Sequence, residues 1–201
     1  MPEEKIIAVI GAPRSGKTFL VNKLASVLGA QAFLEGYGDK FPKFIEDDIK
    51  NSENNLRRIL WFRNRQISHL LEAVKLKKIQ KGVVLDTFWV DNQMYVDVLL
   101  SGHDKDVVNE LIEIDLKTLQ WPDIIIYLKN NKEGTKKFTE LGSRNFDMDD
   151  SYQDTIALLQ QKYEKIFALV PSTTKLIVLE RSNIDFERKN DLDKLVQLMS
   201  V

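Results

Sequence analysis

Cysteine is absent from all 201 residues, which excludes disulfides, thiolate metal sites and thiol catalysis together and suits a reducing cytosol. Histidine is nearly absent. His69 and His103 have neither the mutual spacing of a zinc pair nor a nucleophile nearby in sequence, and no role is assigned to them. An excess of either charge is missing as well: 29 Lys plus Arg stand against 30 Asp plus Glu, a formal balance of -1. The bulk charge therefore gives no reason to expect a nucleic-acid polymer or an anionic membrane as partner. No stretch approaches the roughly 18 apolar residues of a membrane span, and Met1–Lys5 lack the basic and apolar segments of a secretion signal. The expectation is a cytoplasmic protein. There is no internal repeat, low-complexity tract or linker, and with 43% hydrophobic residues the chain reads as a single domain over residues 1–201.

What is present is an alternation. Five short β-branched runs, Lys5–Ile10, Ala30–Leu34, Gly82–Asp86, Asp123–Leu128 and Lys175–Leu179, predict buried parallel strands. Apolar residues at helical spacing fill the intervals. They predict helices over 16–28, ending at Gly29, and over 54–78, with others near 89–101, 105–119, 131–141, 150–169 and 187–199. This pattern implies an α/β fold, a five-stranded parallel sheet with helices on both faces and ligands beyond the carboxyl ends of the strands. The charge runs Glu46-Asp47-Asp48 and Asp147-Met148-Asp149-Asp150 read as helix starts or solvated faces, since neither has the glycine and spacing of a calcium loop.

Directly after the first strand comes Gly11-Ala12-Pro13-Arg14-Ser15-Gly16-Lys17-Thr18, which fits G-x-x-x-x-G-K-[ST] at every fixed position. The glycines let successive N–H groups turn inward, and the following helix, whose first apolar residue is Phe19, adds its positive end. Such a loop cradles phosphate, with Lys17 reaching the β- and γ-phosphates and the Thr18 hydroxyl holding Mg²⁺. Asp86, ending the third strand in "KGVVLDTF", emerges on the same edge. It either holds Mg²⁺ or its waters or caps the following helix; the loop's need for an oxygen partner to the metal favours the first. Glu35 ends the second strand before the turn Gly36-Tyr37-Gly38. A carboxylate there is placed to accept the hydrogen of an attacking hydroxyl, or is an ordinary solvated loop glutamate; Tyr37 beside it is a candidate substrate contact.

In order and spacing these motifs resemble the deoxynucleoside kinase family, P-loop enzymes that phosphorylate the 5′-hydroxyl of deoxynucleosides. The likeness runs through the glycine-rich loop, Glu35 with "FPKFIEDD", a long helix with "ILWFRNR", then "VVLD", "WPDIIIYL", a basic segment and "SNIDF" after the last strand. It implies a P-loop kinase fold with a short basic lid, ATP and Mg²⁺ as cofactors, and a small-molecule nucleoside or nucleotide as substrate; a homodimer is possible. It further implies that Glu35 is the catalytic base and Asp86 the metal-side acid. Trp61 and Phe62 then line the nucleoside pocket, and Asn183–Phe186, with Asp185 and Phe186, close over the donor's adenine.

Three departures qualify the likeness. Thr87-Phe88 follow Asp86 where the family has Arg-Ser, and Arg58 stands where a base-pairing glutamine is usual, seven residues before Arg65. The lid is thinned to "KKFTELGSRNFD", leaving Lys136, Lys137 and Arg144 to clamp phosphate. Arg14 lies where some thymidylate kinases carry a loop arginine, and is the candidate for neutralising charge on the transferred group. The reading is phosphoryl transfer from ATP to a hydroxyl of a small acceptor, most simply the 5′-hydroxyl of a deoxynucleoside. Two alternatives stand beside it: a nucleoside monophosphate kinase, for which Arg58 meets an acceptor phosphate, and a nucleotide-binding regulatory protein without transfer.

Overall fold

The computed structural model describes residues 4–36, 41–130, 158, 159, 162, 163 and 165–200. Tyr37, Lys136, Lys137, Arg144, the lid segment and the acidic run at 147–150 lie outside these residues.

Five strands form one sheet: β1 (Ile6–Ile10), β2 (Gln31–Phe33), β3 (Val83–Asp86), β4 (Ile124–Lys129) and β5 (Lys175–Glu180). All neighbours are parallel, in the order β2-β3-β1-β4-β5. Their composition explains it, because parallel strands covered on both faces need apolar residues at successive positions, and Ile6–Ile10 are all fully buried. Alternate residues of β1 serve opposite cores. Ile6, Ala8 and Ile10 pack with Leu70, Ala73, Val108 and Ile112 of two helices, α3 (Asn55–Lys78) and α5 (Gly102–Thr118). Ile7 and Val9 pack with Leu20, Val21 and Leu24 of α1 (Lys17–Leu28) and with Leu192, Leu195 and Met199 at the carboxyl-terminal end of the chain. The expected layering is what the chain adopts.

Other helices among the described residues are α2 (Lys43–Asn51), α4 (Asn92–Leu99), entered through a 3-10 turn at Trp89–Asp91, and α6 (Lys189–Ser200). The position of α2 corrects one expectation. Asp48 is no solvated residue but is 3% exposed, gripped by the Arg57 guanidinium at 2.6 and 2.9 Å and by Asn54 at 2.8 Å. Those bonds, the Arg57 bond foremost, hold its pKa below the usual carboxylate value despite the opposing effect of burial.

The central strand β1 lies between β3, which is paired outward with β2, and β4, which is paired outward with β5. The sheet order therefore reverses beside β1, at the carboxyl end from which Gly11 departs, and such a switch point opens a crevice for ligands. No helix among the described residues is long and apolar enough to cross a membrane.

Candidate active site

The loop leaving β1 is shaped by two glycines with positive φ, Gly11 at 151° and Gly16 at 90°. At Gly11 the requirement is also steric: a Cβ there would come within 2.8 Å of both the Leu128 carbonyl oxygen and Ser15 Oγ. Arg14 takes a left-handed φ of 64°. Lys17, the first residue of α1, folds back so that its Nζ donates to the carbonyls of Gly11 at 2.9 Å and Ala12 at 3.2 Å. Its ammonium thus closes the loop on which phosphate would rest. Ser15 is fully buried and its Oγ has no hydrogen-bond partner among the described residues. Phe19, one turn further, is exposed with Lys23 over its ring.

Thr18 and Asp86 meet, although 68 residues separate them: the Thr18 hydroxyl donates to Asp86 Oδ2 at 2.6 Å. Parallel pairing of β1 with β3 sets Val9 opposite Asp86, so the acid ends its strand alongside the loop's departure. Thr87 follows at φ 77°, an uncommon state for a β-branched residue that costs on the order of 1–3 kcal/mol. Its N–H donates to the Val9 carbonyl at 3.0 Å, and its hydroxyl turns inward to Asp91. Thr87 therefore brings no cation to this edge.

Glu35 is fixed from two sides by α3. Arg65 Nε donates to the Glu35 carbonyl, and its Nη2 donates to the carbonyls of Leu34 and Gly36 at 3.3 Å each. The neighbouring Gln66 donates Nε2–H to Glu35 Oε1 at 3.0 Å. One turn earlier, Trp61 and Phe62 form an edge-to-face cluster with Phe41, with centroids 4.9 to 6.1 Å apart, and Arg65 lies over the Trp61 ring. Trp61 and Phe62 are only partly buried, so they supply an aromatic surface linked through Arg65 to the Glu35 backbone. Arg58, from the first turn of α3, contributes its charge to the lowered pKa of Asp48.

The sequence did not point to Asp91. This residue is 3% exposed in the turn before α4, and its Oδ2 accepts from the Thr87 hydroxyl at 3.4 Å and the Tyr163 hydroxyl at 3.5 Å. Its pKa is pushed up to about 8, chiefly by burial; the Glu35 carboxylate adds to the rise, and the Lys17 ammonium opposes it. Asp91 is therefore a neutral acid at pH 7 that senses both the loop lysine and Glu35.

On the side of β5, the two residues expected to contact adenine are both engaged within the protein. Phe186 is 1% exposed, in the core with α1 and α6, so its ring is committed to packing. Asp185 is engaged locally, accepting from the Glu187 N–H at 3.0 Å. The residue that reaches the phosphate loop is Arg181: its guanidinium covers the Phe186 ring at 4.7 Å, and its Nε lies 3.4 Å from where a Cβ on Gly16 would stand.

A glycine-shaped loop closed by a lysine, with a threonine hydroxyl bonded to an acid from the adjacent strand, defines a P-loop phosphate-binding domain. The chain belongs to the AAA domain family, whose profile matches residues 6–197. Its fold is that of a deoxyadenosine kinase from M. mycoides, which bears out the likeness read from the motifs. The dATP-bound form of that enzyme superposes with a TM-score of 0.79 at 14% identity, covering 98% of this chain and 100% of the other. The form with products dCMP and a flexible dCDP gives 0.77, and the dCTP-bound form 0.64, both at 16% identity with the same coverage. No match is found among curated protein sequences.

Proposed function

We propose that the protein transfers the γ-phosphoryl group of ATP to a hydroxyl of a small acceptor, most simply the 5′-hydroxyl of a deoxynucleoside. The observation that carries this is the convergence on one sheet edge of the Lys17-closed loop, the Thr18–Asp86 pair at 2.6 Å and a carboxylate, Glu35, anchored by the helix that carries the aromatic surface. A binding protein needs the loop; only transfer to a hydroxyl needs the anchored acceptor-side carboxylate.

In the reaction, Glu35 accepts the hydrogen of the acceptor hydroxyl as its oxygen bonds to the γ-phosphorus, while the bond from that phosphorus to the bridging oxygen breaks and ADP leaves. Loop N–H groups and Lys17 meet the charge on the phosphates; Arg14, within the loop itself, is the cation this reading assigns to neutralise charge on the transferred group. Thr18 and Asp86 are hard oxygen donors within hydrogen-bond distance of each other, a pair suited to Mg²⁺ directly or through its waters. Bound there, Mg²⁺ supplies charge neutralisation at the β- and γ-phosphates. Trp61 and Phe62 offer the apolar surface a nucleobase requires.

Glu35→Gln tests the assignment: nucleotide binding persists and turnover falls by about 10² or more. Near-normal turnover would return Glu35 to an ordinary loop residue. The Thr87 position favours one other reading, a nucleotide-binding regulator without transfer, because no arginine follows Asp86. ATP binding with no acceptor-dependent ADP release would select it.

A further inference from the structure

The Glu35 carboxylate is the end of a buried chain of amides. Gln66 and Asn92 are 5% and 3% exposed, unusually dry for their type, and belong to helices 26 residues apart in sequence. Asn92 Nδ2 donates to the Trp89 carbonyl at 2.8 Å and to Gln66 Oε1 at 2.7 Å; Gln66 Nε2 in turn donates to Glu35 Oε1 at 3.0 Å.

The directions of these bonds are not interchangeable. A peptide carbonyl only accepts, so the Trp89 oxygen requires the N–H₂ side of Asn92 to face it. With that amide group shared between Trp89 and Gln66, Gln66 must present its oxygen to Asn92 and its N–H₂ to Glu35. One backbone carbonyl in the turn after Asp86 thereby sets the orientation of a side chain two links away. The cost of burying two amides is offset only when the chain is fully paired, which discourages a flip of either.

We propose that Gln66 is a positioning residue for Glu35, its amide held in register by Asn92 and the Trp89 carbonyl. This rests on Glu35 being the acceptor-side base, but the relay itself is measurable without turnover. Donation from Gln66 favours the ionised carboxylate that proton acceptance requires. It also ties the acceptor-side group to the same turn that leaves the Asp86 strand.

The test is a ¹³C titration of glutamate carboxyls in the full-length protein, with Glu35 assigned by loss of its signal in Glu35→Gln. Two variants are compared with the parent. Gln66→Met keeps the length of the side chain and removes its donor; Asn92→Leu is close in volume, adds no charge and removes the donor that holds Gln66 Oε1, freeing the Gln66 amide to turn. The Glu35 midpoint should rise by about one pH unit in Gln66→Met and by a smaller amount in the same direction in Asn92→Leu, with the other glutamates unmoved. A Glu35 midpoint unchanged in either folded variant would overturn the relay. That result would leave the kinase reading standing, whereas full turnover by Glu35→Gln would remove the base and leave the relay a structural feature.

Discussion

Replacing Asp91 by Asn should change the pH dependence of stability in a calculable way. The unfolded carboxyl titrates near 3.8, whereas the folded one holds its proton to about 8. Between those values the native state binds more protons than the unfolded state, so stability falls as pH rises, by about 1.4 kcal/mol per unit for one group. The contribution is fully present below the unfolded value and is lost as pH climbs through the folded one; by pH 7 the loss is on the order of 4 kcal/mol. Asparagine keeps the acceptor for Thr87 and Tyr163 and cannot ionise. It places an N–H₂ where Asp91 Oδ1 is buried without a partner among the described residues, and this adds a penalty that does not vary with pH. The slope is therefore the quantity to read. Urea unfolding followed by tryptophan fluorescence from pH 4.5 to 8 should give a stability difference, variant minus parent, that grows by about 1 kcal/mol or more per unit. Parallel curves would refute a proton-holding Asp91.

Three further outcomes follow from the loop and its edge. Gly11→Ala should destabilise by about 1–3 kcal/mol and abolish nucleotide binding, since the new methyl meets two oxygens at 2.8 Å; calorimetry and ATP titration check both. Asp86→Asn should weaken the Mg²⁺ dependence of ATP binding, and an unchanged Mg²⁺ titration would make the acid a mere partner of Thr18. Arg14→Ala should lower kcat about a hundredfold or more with a much smaller change in ATP affinity, measured by steady-state kinetics and direct binding; equal losses in both would mark a ground-state contact.

The strands and the phosphate loop were legible because their signals are local. Consecutive β-branched residues and a fixed glycine spacing sit within eight residues, and the strand ends agree with expectation to within about two residues, the usual uncertainty of such boundaries. The helix α2 was not legible, since its nine residues look solvated until Arg57, from the next helix, neutralises Asp48. The supporting parts of the site were hidden for a related reason. Gln66 bonds Glu35 across 31 residues and Tyr163 bonds Asp91 across 72, and nothing in either neighbourhood announces a buried polar group. Arg65 entered the sequence reading only as a spacing marker, yet it grips three successive carbonyls around Glu35. Likewise the donor-side loop was read for Asp185 and Phe186, whereas tertiary packing buries Phe186 and brings Arg181 to Gly16.

The central claim is that this loop serves transfer and not binding alone. It is tested most directly by coupled ADP release from ATP and Mg²⁺ across a panel of deoxynucleosides, nucleoside monophosphates and unrelated hydroxylated metabolites, with Lys17→Ala as the control. The account predicts ADP release that depends on a deoxynucleoside and is nearly abolished in Lys17→Ala, which keeps its fold because Lys17 contacts only loop carbonyls among its described hydrogen bonds. ATP binding by the parent with no acceptor-dependent ADP release anywhere in the panel would contradict it.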